Sequence, residues 1–558
     1  MLVLIGVVYF LGWHLQPFEP KFFSFHDDTQ VGRIKEFAFS LRNLQIPPRL
    51  APHFSFDMGF PVFNFYSPFS YWVGGILTLV GLPAVIAAKT SFFLAIITMF
   101  VSMYLFISLL FSFEAGLIAA AAYTSSTWIA TEIFARGNLG ELWFIALIPL
   151  CLYLLEKNSK SNSVRVFIFS VFILSFTFTS HNVLSLICIP LLLIYSLTIR
   201  EWKKNLVVIF SALLLSSYFF IPLIGESSLT YAKAQAEKTV YSDHFLCPMQ
   251  LWSSPTWELG GSGVGCNDGM SFKLGKIQLI LGMLGFLGWI ISFLALQKKN
   301  SWKENGKYFV LAFFGIMSLF MMFDASSFLW KAFSFVLTPF QFPWRFNSFF
   351  LLFVSIFAGY FIKVLSLKVP KKILLIISLL VIGAMFVSSR PYFRHPWRVS
   401  YDEYTLKYVS DEYISKKIVY AIPEYLPRTA NYDKWMGFGQ TNKATYVPFI
   451  GENKSLVIVK NLPYEKQGKS VIAQKVTVNI HYFPFWYISV DGKQIIPKMF
   501  DSLGRPTLSV SKSAIINVKY KETTTETAGN IVTIITFFVL VLFCSNKKLW
   551  KKVNNTLQ

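Results

Sequence analysis

The sequence predicts an all-α polytopic membrane domain with a C-terminal extracytoplasmic β-rich domain. Three observations lead to this fold class. The 558 residues are 54% hydrophobic and only 14% charged, whereas soluble domains carry roughly 25% charged residues. Apolar runs near the ~20 residues that cross a bilayer recur along the chain. A polar segment of short alternating runs separates the last two of them.

About eleven to thirteen transmembrane helices are expected. Residues 1–388 hold all but the last of them together with an outer loop at 16–68, and residues 528–558 hold the final helix and a basic tail. One apolar run, at 206–224, has the length of a single span. The run that begins at Phe69 is interrupted by glycine and proline, so we expect it to be interfacial or re-entrant rather than a full crossing.

The basic residues predict the orientation of the chain. Lysine and arginine concentrate in five stretches between spans, which is typical of cytoplasmic loops. These stretches are 157–165, 200–204, 298–307, 363–372 and 547–552. The C-terminus is therefore expected in the cytoplasm and the protein in the plasma membrane. Much of the formal charge of +22 is a topology signal, so no nucleic-acid partner is expected.

Residues 389–527 are expected to form the outer domain, since they are long enough to fold on their own. The second half alternates apolar and polar residues, which predicts strands, and residues 401–425 ahead of it are expected to be helical or irregular. The predicted strands are 455–459, 475–480, 486–490, 507–510 and 515–520. Asp491-Gly492 predicts a hairpin turn, because glycine accepts the positive φ of tight turns.

The five cysteines form no metal-binding pattern. Cys151, Cys188 and Cys544 lie in apolar runs, where cysteine behaves as a small hydrophobic residue. Cys247 and Cys266 share an outer loop, where either a disulfide or two free thiols fits the sequence.

The first outer loop carries a dense polar group. His26, Asp27 and Asp28 precede a stretch in which apolar residues recur at helical spacing, with Arg33 inside it. This pattern predicts an amphipathic helix on the membrane surface, with one aspartate as its N-cap. Capping needs only one carboxylate, so the pair favours a catalytic or metal-binding role, for Asp27 in preference to Asp28.

Two further motifs lie near the outer ends of spans. Asn64 and Tyr66 belong to an aromatic stretch rich in glycine and proline, which fits either an interfacial belt or the wall of a sugar or lipid pocket. Arg136 and Glu141 flank the start of a span. A carboxylate in that position is costly without a partner, so an ion pair with Arg136 is the alternative to a ligand contact.

His181-Asn182 and Arg345 complete the candidate residues. His181-Asn182 interrupts two apolar runs, where a hairpin cap is as reasonable as a ligand contact. Arg345 follows two prolines and several aromatics. A guanidinium group can bind phosphate with two hydrogen bonds, or it can anchor the chain at the interface.

These motifs together resemble a known family. His26-Asp27-x-x-Gln30-x-x-Arg33, residues 59–68, Arg136-Gly137-Asn138-x-x-Glu141, Ser180-His181-Asn182 and residues 341–346 resemble bacterial membrane proteins named as 6-pyruvoyl-tetrahydropterin synthase-related. Those proteins are similar to the GT-C superfamily of glycosyltransferases, which use polyprenyl-phosphate sugars. Residues 483–493 resemble the C-terminal β region of the YfhO-type branch. Gln30 stands where the motif has histidine.

The resemblance implies a GT-C-like membrane domain and a sugar transfer at the outer face. Asp27 would act as base or metal ligand near the acceptor, and Arg136 and Arg345 would hold the phosphate of the lipid carrier. The residues expected to bind substrate are His26, Arg33, Asn64, Tyr66, Arg136, Glu141, His181, Asn182 and Arg345. The expected partners are a polyprenyl-phosphate-linked sugar and membrane lipids. No cofactor is certain, a divalent metal is compatible with the aspartates, and the oligomeric state stays open.

Two other functions fit the sequence less well. A lipid or glycan transporter would need ionisable groups through the middle of the spans, which are nearly free of them. A non-enzymatic protein that binds or organises envelope polymers through its outer domain predicts that Asp27, Arg136 and Arg345 are replaceable. The chain has no nucleophile elbow, P-loop or zinc spacing.

Overall fold

The computed structural model describes residues 2–254, 261–295, 301–395, 398–441, 446–453 and 455–557. It shows a helical membrane domain and a C-terminal β-rich domain, which confirms the predicted fold class. The predicted inner lysines Lys298 and Lys299 lie outside the described residues.

Most of the chain is helical. The helices are α1 Leu2–Phe10, α2 Thr29–Arg42, α3 Val62–Phe65, α4 Phe69–Leu79, α5 Ala84–Leu110, α6 Phe113–Thr124, α7 Thr127–Ala130, α8 Leu139–Ser159, α9 Val164–Phe178, α10 Asn182–Leu197, α11 Trp202–Leu215, α12 Ser217–Glu226, α13 Ala232–Lys238, α14 Pro248–Trp252, α15 Lys276–Ala295, α16 Ser301–Met321, α17 Ser327–Ala332, α18 Ser334–Leu337, α19 Asn347–Leu365, α20 Lys371–Ser389, α21 Tyr401–Tyr408, α22 Tyr432–Thr441, α23 Thr524–Ser545 and α24 Lys547–Leu557.

Several of these helices can cross a membrane. Within the described residues, six are long and apolar enough, and two bent pairs raise the number to eight. Three more apolar helices, α4, α9 and α10, are shorter. The protein is therefore a multi-pass membrane protein, and the count of eleven to thirteen spans stays a prediction.

Two apolar runs do not form a single long helix. One was expected to be a continuous span, and the other was expected not to cross the membrane fully. The run at 206–224 is not one straight span, since α11 and α12 meet at Ser216 with a bend of 63°. The run from Phe69 forms only the 11-residue α4. Gly81, with φ +106°, then turns the chain into α5, so the expectation that this run is no full crossing agrees with its length.

The predicted cytoplasmic stretches meet at one end of the membrane domain. Lys204 donates to the carbonyl of Ser161 at 2.5 Å. Trp550 of the C-terminal tail donates to the carbonyl of Asn162 at 2.8 Å. Lys307 pairs with Glu156 at 3.0 Å. Four of the five basic stretches are thus connected at the same end.

The C-terminal domain contains two antiparallel sheets. The five-stranded sheet has the order β4-β5-β10-β7-β8 and the three-stranded sheet the order β3-β6-β9. The strands are β3 Phe449–Gly451, β4 Leu456–Leu462, β5 Glu465–Ser470, β6 Gln474–Val478, β7 Trp486–Val490, β8 Lys493–Gln494, β9 Thr507–Val510 and β10 Ile515–Tyr520. All five predicted strands are present, with small shifts at their ends. The strands β3, β5 and β8 are not among these five, and β5 is mostly charged and polar, so it carries little strand signal.

The predicted hairpin turn is also present. Asp491 and Gly492 have φ +49° and +81° and connect β7 to β8. A further pair of strands, β1 Lys21–Phe23 and β2 Arg398–Ser400, joins the first outer loop to the start of the C-terminal domain. Cys247 and Cys266 form a disulfide in the segment between α13 and α15.

Helix α2 differs from the predicted surface helix. Its polar residues Arg33 and Glu36 are 3% and 1% exposed, because the C-terminal domain covers the face that α4 does not. Tyr464 of that domain donates to Ser40 at 2.8 Å, and Lys35 pairs with Asp411 at 3.0 Å. An exposed polar face was therefore the wrong expectation: α2 lies between the two domains.

Candidate functional site

The start of the first outer loop is bound to the chain just ahead of α8. The backbone N–H of Asp27 donates to the carbonyl of Arg136, and that of His26 to the carbonyl of Ala135, both at 2.9 Å. Gly137 permits this approach, because it has φ +67° and a Cβ there would overlap the ring of Phe25. Two motifs 109 residues apart (136 − 27) in the sequence are therefore held side by side.

Asp27 is an ionised carboxylate in this position. Burial raises its pKa, but the hydrogen bond with His26 and the positive charge of Arg136 outweigh burial and hold the pKa of Asp27 below its usual value. Nδ1 of His26 lies 3.0 Å from Oδ1 of Asp27. The same hydrogen bond raises the pKa of His26.

Asp28 has a different environment from its neighbour. It occupies the N-cap position of α2, yet its side chain accepts no helix N–H. Burial raises the pKa of Asp28, against a hydrogen bond with Tyr413 that lowers it. Helix capping therefore does not explain why the chain has two adjacent aspartates.

Arg136 is neutralised by two carboxylates. It donates to Glu141 at 2.8 Å, as the sequence suggested, and also to Glu132. A π-helical turn, Thr131–Arg136, brings Glu132 into reach; such turns are rare and occur often at functional sites. Ser348 donates to the other oxygen of Glu141 at 3.0 Å. Sequence reasoning missed Glu132, although a carboxylate inside an apolar run was the available signal.

Arg33 and Arg345 are the guanidinium groups near Asp27 that lack a carboxylate partner within 4 Å, as far as the described residues extend. Arg33 donates to Tyr71 at 2.9 Å and lies 4.3 Å from the ring centre of Tyr66. Arg345 donates to the carbonyl of Phe340 at 2.7 Å. The buried Nε of each has no hydrogen-bond partner within the part of the chain that the structure describes.

Both arginines interact electrostatically with Asp27. The charges of Arg33, Arg345 and Asp27 also act on Tyr66. Glu424 of the C-terminal domain also faces Arg33 and Asp27, and burial raises its pKa, which disfavours its charged form. Glu424 was not found from the sequence, because nothing local marks a glutamate that folds back onto the first loop.

The remaining predicted residues support the site or lie away from it. His181 caps α10 by accepting from Leu184 at 3.2 Å, and its Nε2 lies 3.9 Å from Glu141. Asn182 donates from its backbone to Ser67 at 2.6 Å. Asn64 is not part of the cluster around Asp27, since it is fully buried beside α23.

A second buried network holds Asn64. Its amide accepts from Arg49 at 3.1 Å and donates to Glu526 at 2.6 Å. Arg49 also donates to Asn530 at 2.8 Å. This network fastens the first outer loop to α23, and its residues other than Asn64 were not predicted.

Gln30 occupies a position where a histidine could have served as a metal ligand. Gln30, which replaces the histidine of the resembling family, accepts a hydrogen bond from Tyr71 at 2.9 Å and so supports Arg33. Across the described ranges, no three His, Cys, Asp or Glu side chains are grouped to hold a metal ion.

Several solved structures are similar to this one. The oligosaccharyltransferase AglB from Archaeoglobus fulgidus, in complex with an inhibitory peptide and a dolichol-phosphate, matches with a TM-score of 0.48 and 12% identity, over 80% of this chain and 60% of that one. The apo form of the Archaeoglobus fulgidus oligosaccharyltransferase matches with a TM-score of 0.47 and 12% identity, over 71% and 55%. Arabinofuranosyltransferase AftD from Mycobacteria matches with a TM-score of 0.43 and 13% identity, over 70% and 26%. The chain thus spans less than two thirds of the length of each.

No protein-family model matches the sequence, and no curated protein does. The resemblances to the 6-pyruvoyl-tetrahydropterin synthase-related proteins and to the YfhO-type branch therefore stay predictions.

Proposed function

We propose that this protein transfers a sugar from a polyprenyl-phosphate carrier to an envelope acceptor at the extracytoplasmic face of the plasma membrane, as a GT-C-type glycosyltransferase. The observation that carries the proposal is the placement of an ionised Asp27 among arginines, two of which have no carboxylate partner within 4 Å among the described residues.

Asp27 is proposed as the general base. A carboxylate that stays ionised can accept the proton of an acceptor hydroxyl as that oxygen attacks the sugar. The hydrogen bond with His26 at 3.0 Å orients the carboxylate. Asp28 is not assigned this role, because its hydrogen bond is with Tyr413 rather than with His26.

Arg33 and Arg345 are proposed to bind the phosphate of the carrier. Each has an unused buried donor, and a desolvated guanidinium group that meets phosphate forms strong charge-assisted hydrogen bonds. These groups would stabilise the negative charge that develops on the leaving lipid phosphate. Arg136, already paired with Glu132 and Glu141, is proposed to position the Asp27 loop.

The orientation in the membrane follows from the two ends of the helical domain. The basic stretches 157–165, 200–204 and 547–552 contact one another through Lys204 and Trp550, and such loops are retained in the cytoplasm. The Asp27 cluster and the β-rich domain would then lie outside, and the C-terminus inside.

The proposal is tested in a strain that lacks the gene, complemented with wild type or with Asp27→Asn. We expect the variant to accumulate the lipid-linked sugar and to lose the corresponding envelope glycan. Asp402→Asn, which changes an exposed carboxylate on α21, is the matched control and should restore the glycan. If the Asp27 variant builds the same glycans at the wild-type rate, Asp27 is not the base and the proposed function fails.

A further inference from the structure

A cavity of about 630 Å³ lies between the two domains, apart from the Asp27 cluster. It is bounded by the second half of α2, by residues 53–57 of the first outer loop, and by residues 411–416 and Tyr446 of the C-terminal domain. Its size falls in the range of small-molecule sites, roughly 300–1,000 Å³. Along α2, the cavity residue Glu36 is eight positions beyond Asp28 (36 − 28), which is about 12 Å at the helical rise.

One polar group of the cavity is a fixed histidine–glutamate pair. Glu36 is 1% exposed. One of its carboxylate oxygens accepts from the backbone N–H of His53 at 2.9 Å, and the other lies 2.8 Å from Nδ1 of the same ring. The pair sets the position of the imidazole and leaves Nε2 of His53 for a ligand.

The other polar group is an unengaged carboxylate. Asp57 has no side-chain hydrogen bond and no ion pair within 4 Å among the described residues, although the charges of His53 and Lys466 act on it. The backbone is left-handed at Ser55, Phe56 and Asp57, with φ +65°, +57° and +57°. Three such residues in a row are strained, and strained backbone persists where the surroundings hold it.

The charge balance of the lining excludes a strongly charged ligand. Four lining side chains are carboxylates and three are lysine or arginine, so an ion of either sign gains little there. Phe39, Phe56 and Tyr446 supply apolar ring surface in the same cavity. The balanced charge and the aromatic surface of the cavity suit a ligand that has many hydroxyl groups, no net charge and an apolar face. A neutral saccharide has these three features.

We propose that this cavity binds a neutral saccharide, the extended part of the acceptor, with its hydroxyl groups on Asp57 and His53 and an apolar face on Phe39 and Tyr446. The inference rests on the proposed function, because it assigns the acceptor to the far end of the helix that begins beside the base. Arg33 and Arg345, near the start of α2, would bind the phosphate of the donor. The cavity at the second half of α2 would bind the acceptor saccharide to which the sugar is added.

The experiment measures saccharide binding by the full chain in lipid nanodiscs, since a glycosidic detergent would occupy the site. The probes are the neutral trisaccharides maltotriose, triacetylchitotriose and galactotriose, with sialyllactose as an anionic comparison. Binding is followed by saturation-transfer NMR. We expect at least one neutral trisaccharide to bind the wild type.

Asp57→Asn is the decisive variant, because asparagine tolerates a left-handed backbone and the loop should keep its fold. Loss of a charge-assisted hydrogen bond should weaken neutral saccharide binding about 10-fold, whereas Asp402→Asn should bind like wild type. If no neutral trisaccharide binds, if Asp57→Asn binds as tightly as wild type, or if only sialyllactose binds, the inference is overturned.

Asp27→Asn separates this inference from the proposed function. We expect it to lose transfer and to keep saccharide binding. If Asp27→Asn retains transfer while the cavity still binds saccharide in a manner that depends on Asp57, the proposed catalytic site fails and the saccharide site stands.

Discussion

The two ends of helix α2 differ in how their charged side chains are satisfied. At the N-terminal end, Arg33 has a buried donor that no described residue satisfies, and its charge acts on the carboxylate of Asp27. Further along, Glu36 has both oxygens engaged by His53. Unsatisfied buried donors are costly and are retained where a ligand completes them. We therefore propose an anion site at the start of this helix and a near-neutral, hydroxyl-binding cavity beyond it.

A kinetic comparison of the two ends should give the largest effect. Asp27→Asn should lower kcat by ~100-fold or more at any acceptor concentration, because general base catalysis contributes roughly 10²–10⁴-fold. Asp57→Asn should instead raise the acceptor KM and leave kcat close to wild type, since it removes a binding contact. The measurement is the initial rate of transfer in reconstituted vesicles. A fall in kcat of equal size in both variants would show that Asp27 and Asp57 do not divide catalysis and acceptor binding between them.

The arginines at the start of α2 should respond to a change that keeps their charge. Arg33→Lys and Arg345→Lys lose the planar donor pair, so each should lower kcat/KM for the lipid-linked donor by about 10- to 100-fold. Arg428→Lys is the control, because Arg428 is exposed and its Nε bonds only the carbonyl of Thr230 at 3.0 Å among the described residues. Wild-type donor kinetics in both test variants would show that phosphate binds elsewhere.

His26 should tune the pH range of the reaction. Removal of its hydrogen bond in His26→Ala takes away the main interaction that lowers the pKa of Asp27, while burial continues to raise it. The carboxylate then protonates at higher pH, so the acidic limb of the pH–rate profile should move upward. An unchanged limb in this variant would mean that Asp27 does not titrate in catalysis.

The smallest effect concerns stability at the other end of α2. Burial lowers the pKa of His53, but the hydrogen bond and the charge of Glu36 outweigh it and the pKa is raised. The stabilisation from protonated His53 is therefore fully present below its unfolded pKa and is lost as the pH rises through the folded value. Melting curves of wild type should lose this contribution towards alkaline pH, and those of His53→Gln should not. Parallel curves would mean that the pair contributes no linked proton.

The sequence predicted many residues of the candidate site, but few of the hydrogen bonds and ion pairs that connect them. His26, Asp27, Arg136 and Glu141 were selected because charged residues gather at the predicted outer ends of apolar runs, where an unpartnered charge is costly, and the structure brings them together. Glu132 was missed although it stands four positions before Arg136, a spacing at which helical side chains meet. Glu424 was missed because a glutamate that reaches the site from a separate domain leaves no spacing to recognise. Asn64 was selected by its motif, yet its contacts with Arg49 and Glu526 depend on where α23 packs.

Composition, apolar run length, alternation of apolar and polar residues and turn chemistry determined the membrane class, the β-rich C-terminal domain and the Asp491-Gly492 hairpin, because these depend on preferences that a short stretch of sequence expresses. Tertiary structure alone decided that α2 is buried on both faces and that, among the described residues, Arg33 and Arg345 lack the carboxylate partners that Arg136 has. The partners of Arg136 lie four and five positions away in the sequence, whereas the burial of α2 depends on residues hundreds of positions apart, so the surroundings of Arg33 are set only when the C-terminal domain packs over the helix.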